Sequence, residues 1–125
     1  MRTKKEIEAA ISEEVNRFEQ DYMGRSPKCI QVHLLDDLLV IRLRGVLAPA
    51  EVNLVKSLPE SGRDLLKRVR SHLIETTRPV MEPMVENLTG VEVETMHHSI
   101  CTATGEEVIL FTLAKSPDVL EAKME

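Results

Sequence analysis

The residues of this chain with chemical potential are four histidines (His33, His72, His97, His98), two cysteines (Cys29, Cys101), the acidic pair Asp36-Asp37 and a scatter of arginine and lysine. His97 and His98 are adjacent. In a strand, neighbouring side chains point to opposite faces, so the two imidazoles do not chelate one metal. No histidine or cysteine spacing matches a structural zinc site, and His98 alone is left as a pH sensor. Cys101 is a thiol near both histidines, but no third group orients a nucleophile there and no anion hole accompanies it. Asp36-Asp37 joins two apolar runs and is explained by turn formation, since a solvated hairpin tip gives no reason for the two carboxyl pKa values to separate. The five glycines are isolated beside element boundaries, too sparse to cradle a phosphate. Ser61-Gly62-Arg63, at a helix start, is the weak exception. The expectation is therefore no catalytic, cofactor-binding or metal site.

The basic residues make a different kind of candidate. Arg63, Lys67 and Arg70 follow one another at spacings of four and three, along one side of a helix. Arg42 and Arg44 share one face of a strand and join them only if packing brings the two together. Such a patch suits an anionic partner, an acidic protein surface or lipid headgroups, and competes with the plainer reading of a solvated face. These five are the candidate partner-binding residues.

Several elements must position them. Ile7, Ile11, Val15, Phe18 and Tyr22 recur at helical spacing, with Thr3 and Glu6 placed as a capping box and Gly24 and Pro27 as the stop. Two alternating runs come next, Ile30/Val32/Leu34 and Leu39/Ile41/Leu43, around the turn Asp36-Asp37. Pro49 and Glu51 suit the first turn of a short helix over 49–57, for which Ala48 is a poor cap. A further helix starts near Ser61 and carries Leu65, Leu66, Val69, Leu73 and Ile74 inward. Pro79 and Pro83 predict a break near Thr77-Arg78, followed by a stripe of Val80, Met84, Val85 and Leu88 ending at Gly90. A second hairpin spans 91–101 and 106–113 around Gly105.

The order α-β-β-α-α-β-β predicts an α+β two-layer sandwich, a four-stranded antiparallel sheet of two β-hairpins covered by helices. At 125 residues the chain fits one domain, residues 1–113, with 114–125 as a flexible C-terminal tail. A net charge of −5 and only three aromatic side chains count against nucleic acid and stacking recognition. No run approaches the roughly 18 apolar residues of a membrane span, so the expectation is a cytoplasmic protein without membrane insertion and with two reduced, half-buried thiols.

Three segments, 18–27 (Phe-Glu-Gln-Asp-Tyr-Met-Gly-Arg-Ser-Pro), 40–51 (Val-Ile-Arg-Leu-Arg-Gly-Val-Leu-Ala-Pro-Ala-Glu) and 62–70 (Gly-Arg-Asp-Leu-Leu-Lys-Arg-Val-Arg), resemble the MpsC-type domain family. The likeness runs on through Leu88-Thr89-Gly90-Val91 and the final hairpin, in the same order over residues 5–113. Ala48 departs from the threonine cap expected there. The resemblance implies a small protein associated with machinery that couples cation movement to membrane potential and inorganic-carbon uptake, with no catalytic residues to carry over. The expected function is a noncatalytic accessory or regulatory protein without cofactors. It is expected to bind a protein partner such as a membrane transporter subunit, at the inner face of the membrane, and to form a homodimer. The alternative is a KH-like nucleic-acid-binding module, although the GXXG clamp is absent from the segment 57–63 between the two helices.

Overall fold

In a computed structural model, which describes residues 2–120, the elements are α1 (Lys4–Phe18), a π-helical turn (Glu19–Met23), β1 (Cys29–Leu35), β2 (Leu38–Arg44), α2 (Pro49–Ser57), α3 (Ser61–Thr89), β3 (Val93–Cys101) and β4 (Glu106–Leu113). The fold is α+β, in the order read from the sequence. Thr3 and Glu6 close the capping box of α1 through two backbone hydrogen bonds of 3.1 and 2.8 Å. At α2 the methyl of Ala48 caps nothing, and the Glu51 carboxylate compensates by accepting the Ala48 N–H at 2.7 Å.

The four strands form one antiparallel sheet in the order β1-β2-β4-β3, so the two hairpins lie side by side and join through β2 and β4. Cross-strand register puts Val32, Ile41 and Ile109 in one row and Leu34, Leu39, Phe111 and Met96 in the next, all buried. The alternation is that of a sheet covered on one face. α1 lies over β1 and α3 over β3, and Ile7, Ile11, Val15, Ile74, Met81 and Val85 close the core from the helical side. No helix of the described residues is long and apolar enough to cross a membrane.

Three features depart from the sequence expectations. α3 runs unbroken for 29 residues with Pro79 and Pro83 inside it. It does not break at Thr77-Arg78, and in the turn ahead of Pro79 the Thr76 and Thr77 hydroxyls donate to the carbonyls of Leu73 and Ile74. Of the apolar residues expected inward on α3, Leu66, Ile74 and Val85 are buried and Met84 and Leu88 half-buried, while Leu65, Val69, Leu73 and Val80 are exposed. The core-facing row is Leu66, Arg70, Ile74, Thr77, Met81 and Val85, one residue out of step with the apolar set. Residues 114–120 of the expected tail return to α1: Pro117 is buried, Val119 packs on the core and the Leu120 N–H donates to the Arg2 carbonyl. Residues 121–125 lie outside the described residues.

Candidate functional site

The π-helical turn after Phe18 has a chemical consequence. A π turn takes more residues per revolution than an α turn, so it rotates the downstream residues relative to the α1 stripe. Tyr22, expected on the buried stripe, is left 56% exposed and stacked on Phe18, with ring centroids 4.4 Å apart. Glu19, four residues after Val15 and still in step with α1, faces inward and is 3% exposed.

There it joins an arginine and a second carboxylate that no local sequence pattern marks as interior. Arg70 lies on the core-facing row of α3 and is 4% exposed, which overturns its expected place on a solvated basic stripe. Its guanidinium stands 3.4 Å from Glu107 Oε1 and 3.7 Å from Glu51 Oε2, and its Nε has no hydrogen-bond partner. Glu107 sits on the core face of β4, in register with Leu43 and Ile100. One guanidinium thus ties α3 to β4 and α2, with Glu19 of the π turn close enough to feel its charge. Burial pushes the Glu19 carboxyl up to about 7, and the Glu107 charge adds to the rise while Arg70 opposes it. Glu107 is also raised by burial, against the pull of Arg70. The cluster can hold or release a proton near neutrality inside the fold.

The other candidates separate. Arg42 and Arg44 lie on the uncovered face of the sheet, where both approach Glu106 Oε2, at 2.5 and 3.7 Å, and line a shallow cleft with Thr104. Arg63 is exposed at the start of α3, 3.7 Å from Asp64. Lys67 lines a cleft of about 190 Å³ with Ser71, His98 and Ser99, beside β3. The sheet stands between the strand arginines and the helix cations, so the five residues form no single patch.

His97 and His98 point to opposite faces, as strand geometry requires: His97 is exposed, and His98 reaches across to α3, where its Nε2 lies 2.6 Å from Glu75 Oε2. Among the described residues no group of three histidine, cysteine or acidic side chains is placed to hold a metal. Both cysteines are exposed, not half-buried, because Cys29 and Cys101 fall on the uncovered face. Hydrogen bonding from the Thr104 side chain and backbone holds the Cys101 thiol below the usual range.

No solved structure matches the chain. It is 31% identical over 124 residues to the uncharacterized protein YbcI of Bacillus subtilis (strain 168), an alignment covering 99% of this chain and 96% of that protein. The family model described as "Na+-translocating membrane potential-generating system (MpsC)" matches residues 3–115, which takes in both hairpins, all three helices and every residue of the Arg70 cluster. The chain belongs to the MpsC family.

Proposed function

We propose that the chain is a noncatalytic accessory or regulatory protein of a membrane-potential-generating or inorganic-carbon and cation transport system. It acts by docking on a protein partner, such as a transporter subunit, at the inner face of the membrane. The family membership supports the setting. The observation that carries the docking mode is the uncovered face of the sheet. There Leu38 and Val40 of β2 and Val108 and Leu110 of β4 form an apolar strip over which no described element lies, with Leu35 53% exposed at one end and Arg42 and Arg44 at the other. A contiguous apolar surface rimmed by charge is what a protein interface needs. Its partner is a surface with an apolar centre and a carboxylate placed to meet Arg42 and Arg44, whose charge Glu106 only partly satisfies.

The test is capture of the tagged protein from its host after mild crosslinking, alongside a Val40→Glu/Leu110→Glu variant, with membrane potential followed by a voltage-sensitive dye. A transporter subunit recovered with the wild type and lost with the variant, together with a reduced potential, supports the proposal. Recovery of RNA or ribosomal proteins instead would replace it with the nucleic-acid alternative. Glu60 and Asp64, flanking the start of α3, present the wrong charge to a phosphate backbone there.

A further inference from the structure

The exposed residues of α3 have an order that solvation does not explain. Leu65, Val69, Leu73 and Val80 are 46%, 46%, 39% and 44% exposed. Their spacings of four, four and seven place them on one side of the helix, over about 22 Å at 1.5 Å per residue. Thr76 fills the gap in the row, and Leu58, against Gly62 one turn earlier, extends it. This ridge lies beside the core-facing row and is left open by α1 and α2. We infer that it is a self-association surface, on which α3 pairs antiparallel with α3 of a second copy of this chain about a twofold axis near Leu73.

Symmetry and charge select that occupant. The midpoint of the ridge falls between positions 72 and 73. An antiparallel pair centred there sets Leu65 against Val80 of the second copy and Val69 against Thr76, and brings the two Leu73 side chains side by side at the axis, so one apolar row covers the other. The row 65/69/73/76/80 mixes spacings of four and three, which suits the shallow crossing of about 20° that keeps two helices in contact over several turns.

Arg68 and Glu75 lie on the solvent flank of the ridge, on either side of the axis. Arg68 is exposed and makes no ion pair among the described residues, whereas Glu75 holds Arg78 and His98 and keeps 46% of its side-chain surface open. Antiparallel pairing brings Arg68 of each copy to Glu75 of the other, and parallel pairing would set like against like. The same polarity runs the length of the helix, with Arg63, Lys67 and Arg68 in the first half and Glu75, Glu82 and Glu86 in the second. The sheet edge is a poorer route to a dimer, because the Glu8 carboxylate already accepts the Leu34 N–H of β1 at 2.8 Å. A ridge of one helix is at the small end of protein interfaces, so the dimer is weak and depends on concentration.

The test is sedimentation equilibrium of the full chain from low-micromolar to near-millimolar concentration, with Leu65→Glu/Leu73→Glu as the variant. The wild type is expected to dimerise across this range and the variant to stay monomeric with an unchanged circular dichroism spectrum, since both side chains already face water. Should the variant fail to fold, single cysteines decide in a Cys29→Ser/Cys101→Ser background. Leu73→Cys is expected to form an intermolecular disulfide on oxidation, and Leu65→Cys is not. A wild type that is monomeric throughout overturns the inference. So does a dimer that survives Leu65→Glu/Leu73→Glu and is lost in Val40→Glu/Leu110→Glu, which would place the contact on the sheet. Efficient self-crosslinking through Leu65→Cys would overturn the antiparallel arrangement.

Discussion

Arg70 of α3 and Glu107 of β4 meet at 3.4 Å with both side chains closed off from solvent, 4% and 2% exposed, so the helical layer is joined to the sheet by an ion pair as well as by apolar packing. Taking two charges out of water costs several kcal/mol, which their attraction offsets only while both are present. Arg70→Met is therefore expected to lower stability by about 3–5 kcal/mol, because it strands Glu107 and Glu19. Arg70→Met/Glu107→Leu should recover most of that loss. Arg63→Glu, at an exposed position on the same helix, should stay within about 0.5 kcal/mol of the wild type. Urea denaturation of the four proteins checks the series, and a cost for Arg70→Met no larger than for Arg63→Glu would show that the pair does not matter to the fold.

Glu19 makes stability depend on pH, with a definite sign. Its folded-state pKa of about 7 lies above the ordinary carboxyl value of 4.5, so between those values the unfolded chain ionises while the folded chain keeps its proton. The contribution is complete below about pH 4.5 and is lost as pH rises through about 7, a change on the order of 3 kcal/mol. Glu107 is shifted in the same direction and adds to the slope. Glu19→Gln, neutral at every pH, is expected to flatten the decline and to be more stable than wild type at pH 8. Thermal melts at half-unit pH steps give the comparison, and a wild type whose stability climbs between pH 5 and 7.5 would contradict the placement of Glu19.

The residues of this cluster show where the sequence stops being legible. The hairpins could be read because alternation in Ile30–Leu34 and Leu39–Leu43 fixes which face is buried whatever the partner. On α3 there are two rows of large apolar residues one position apart, 65/69/73 and 66/74/81, and charge on Arg70 argued for turning it outward. The choice fell the other way because Glu107, far off in sequence, supplies a counterion on the core face of β4, and no local pattern reports that. The π turn accounts for Tyr22 alone: a stripe extrapolated at 3.6 residues per turn puts Tyr22 inside, and the turn rotates it out, whereas Glu19 follows Val15 by four residues and lies on the buried side of α1 without it, so that only its charge argued against burial. The uncovered face, with Arg42 and Arg44 opposite the core, follows from strand alternation alone.

Pro79 sits at an exposed interior position of α3, where it removes a backbone donor and crowds the carbonyl four residues earlier. Pro79→Ala supplies the N–H for the Glu75 carbonyl and restores a good helix former, so stability should rise by about 1–3 kcal/mol. Chemical denaturation with native-state hydrogen exchange over 73–83 is the measurement. Slower exchange through this turn is expected, and exchange unchanged from wild type would mean that the missing bond to the Glu75 carbonyl does not limit the stability of the turn.

Gly62 lets α2 and α3 approach each other. A Cβ placed on it would stand 2.6 Å from the Leu54 carbonyl oxygen and 3.2 Å from the Leu58 Cβ, so any side chain must push α2 away from the start of α3. Alanine is the better helix former by about 1 kcal/mol, but that gain is set against a backbone contact that cannot yield by rotating a side chain. Overpacking of this kind costs about 1–3 kcal/mol, and the clash is expected to win. The damage should be local. α2 carries no fully buried residue and is held by Glu51 to Arg70 and by contacts near Gly62, so in Gly62→Ala its amides should lose exchange protection while those of β2 and β4 keep theirs. Equal loss of protection across α2 and the central strands would instead mean that α2 unfolds only together with the whole domain.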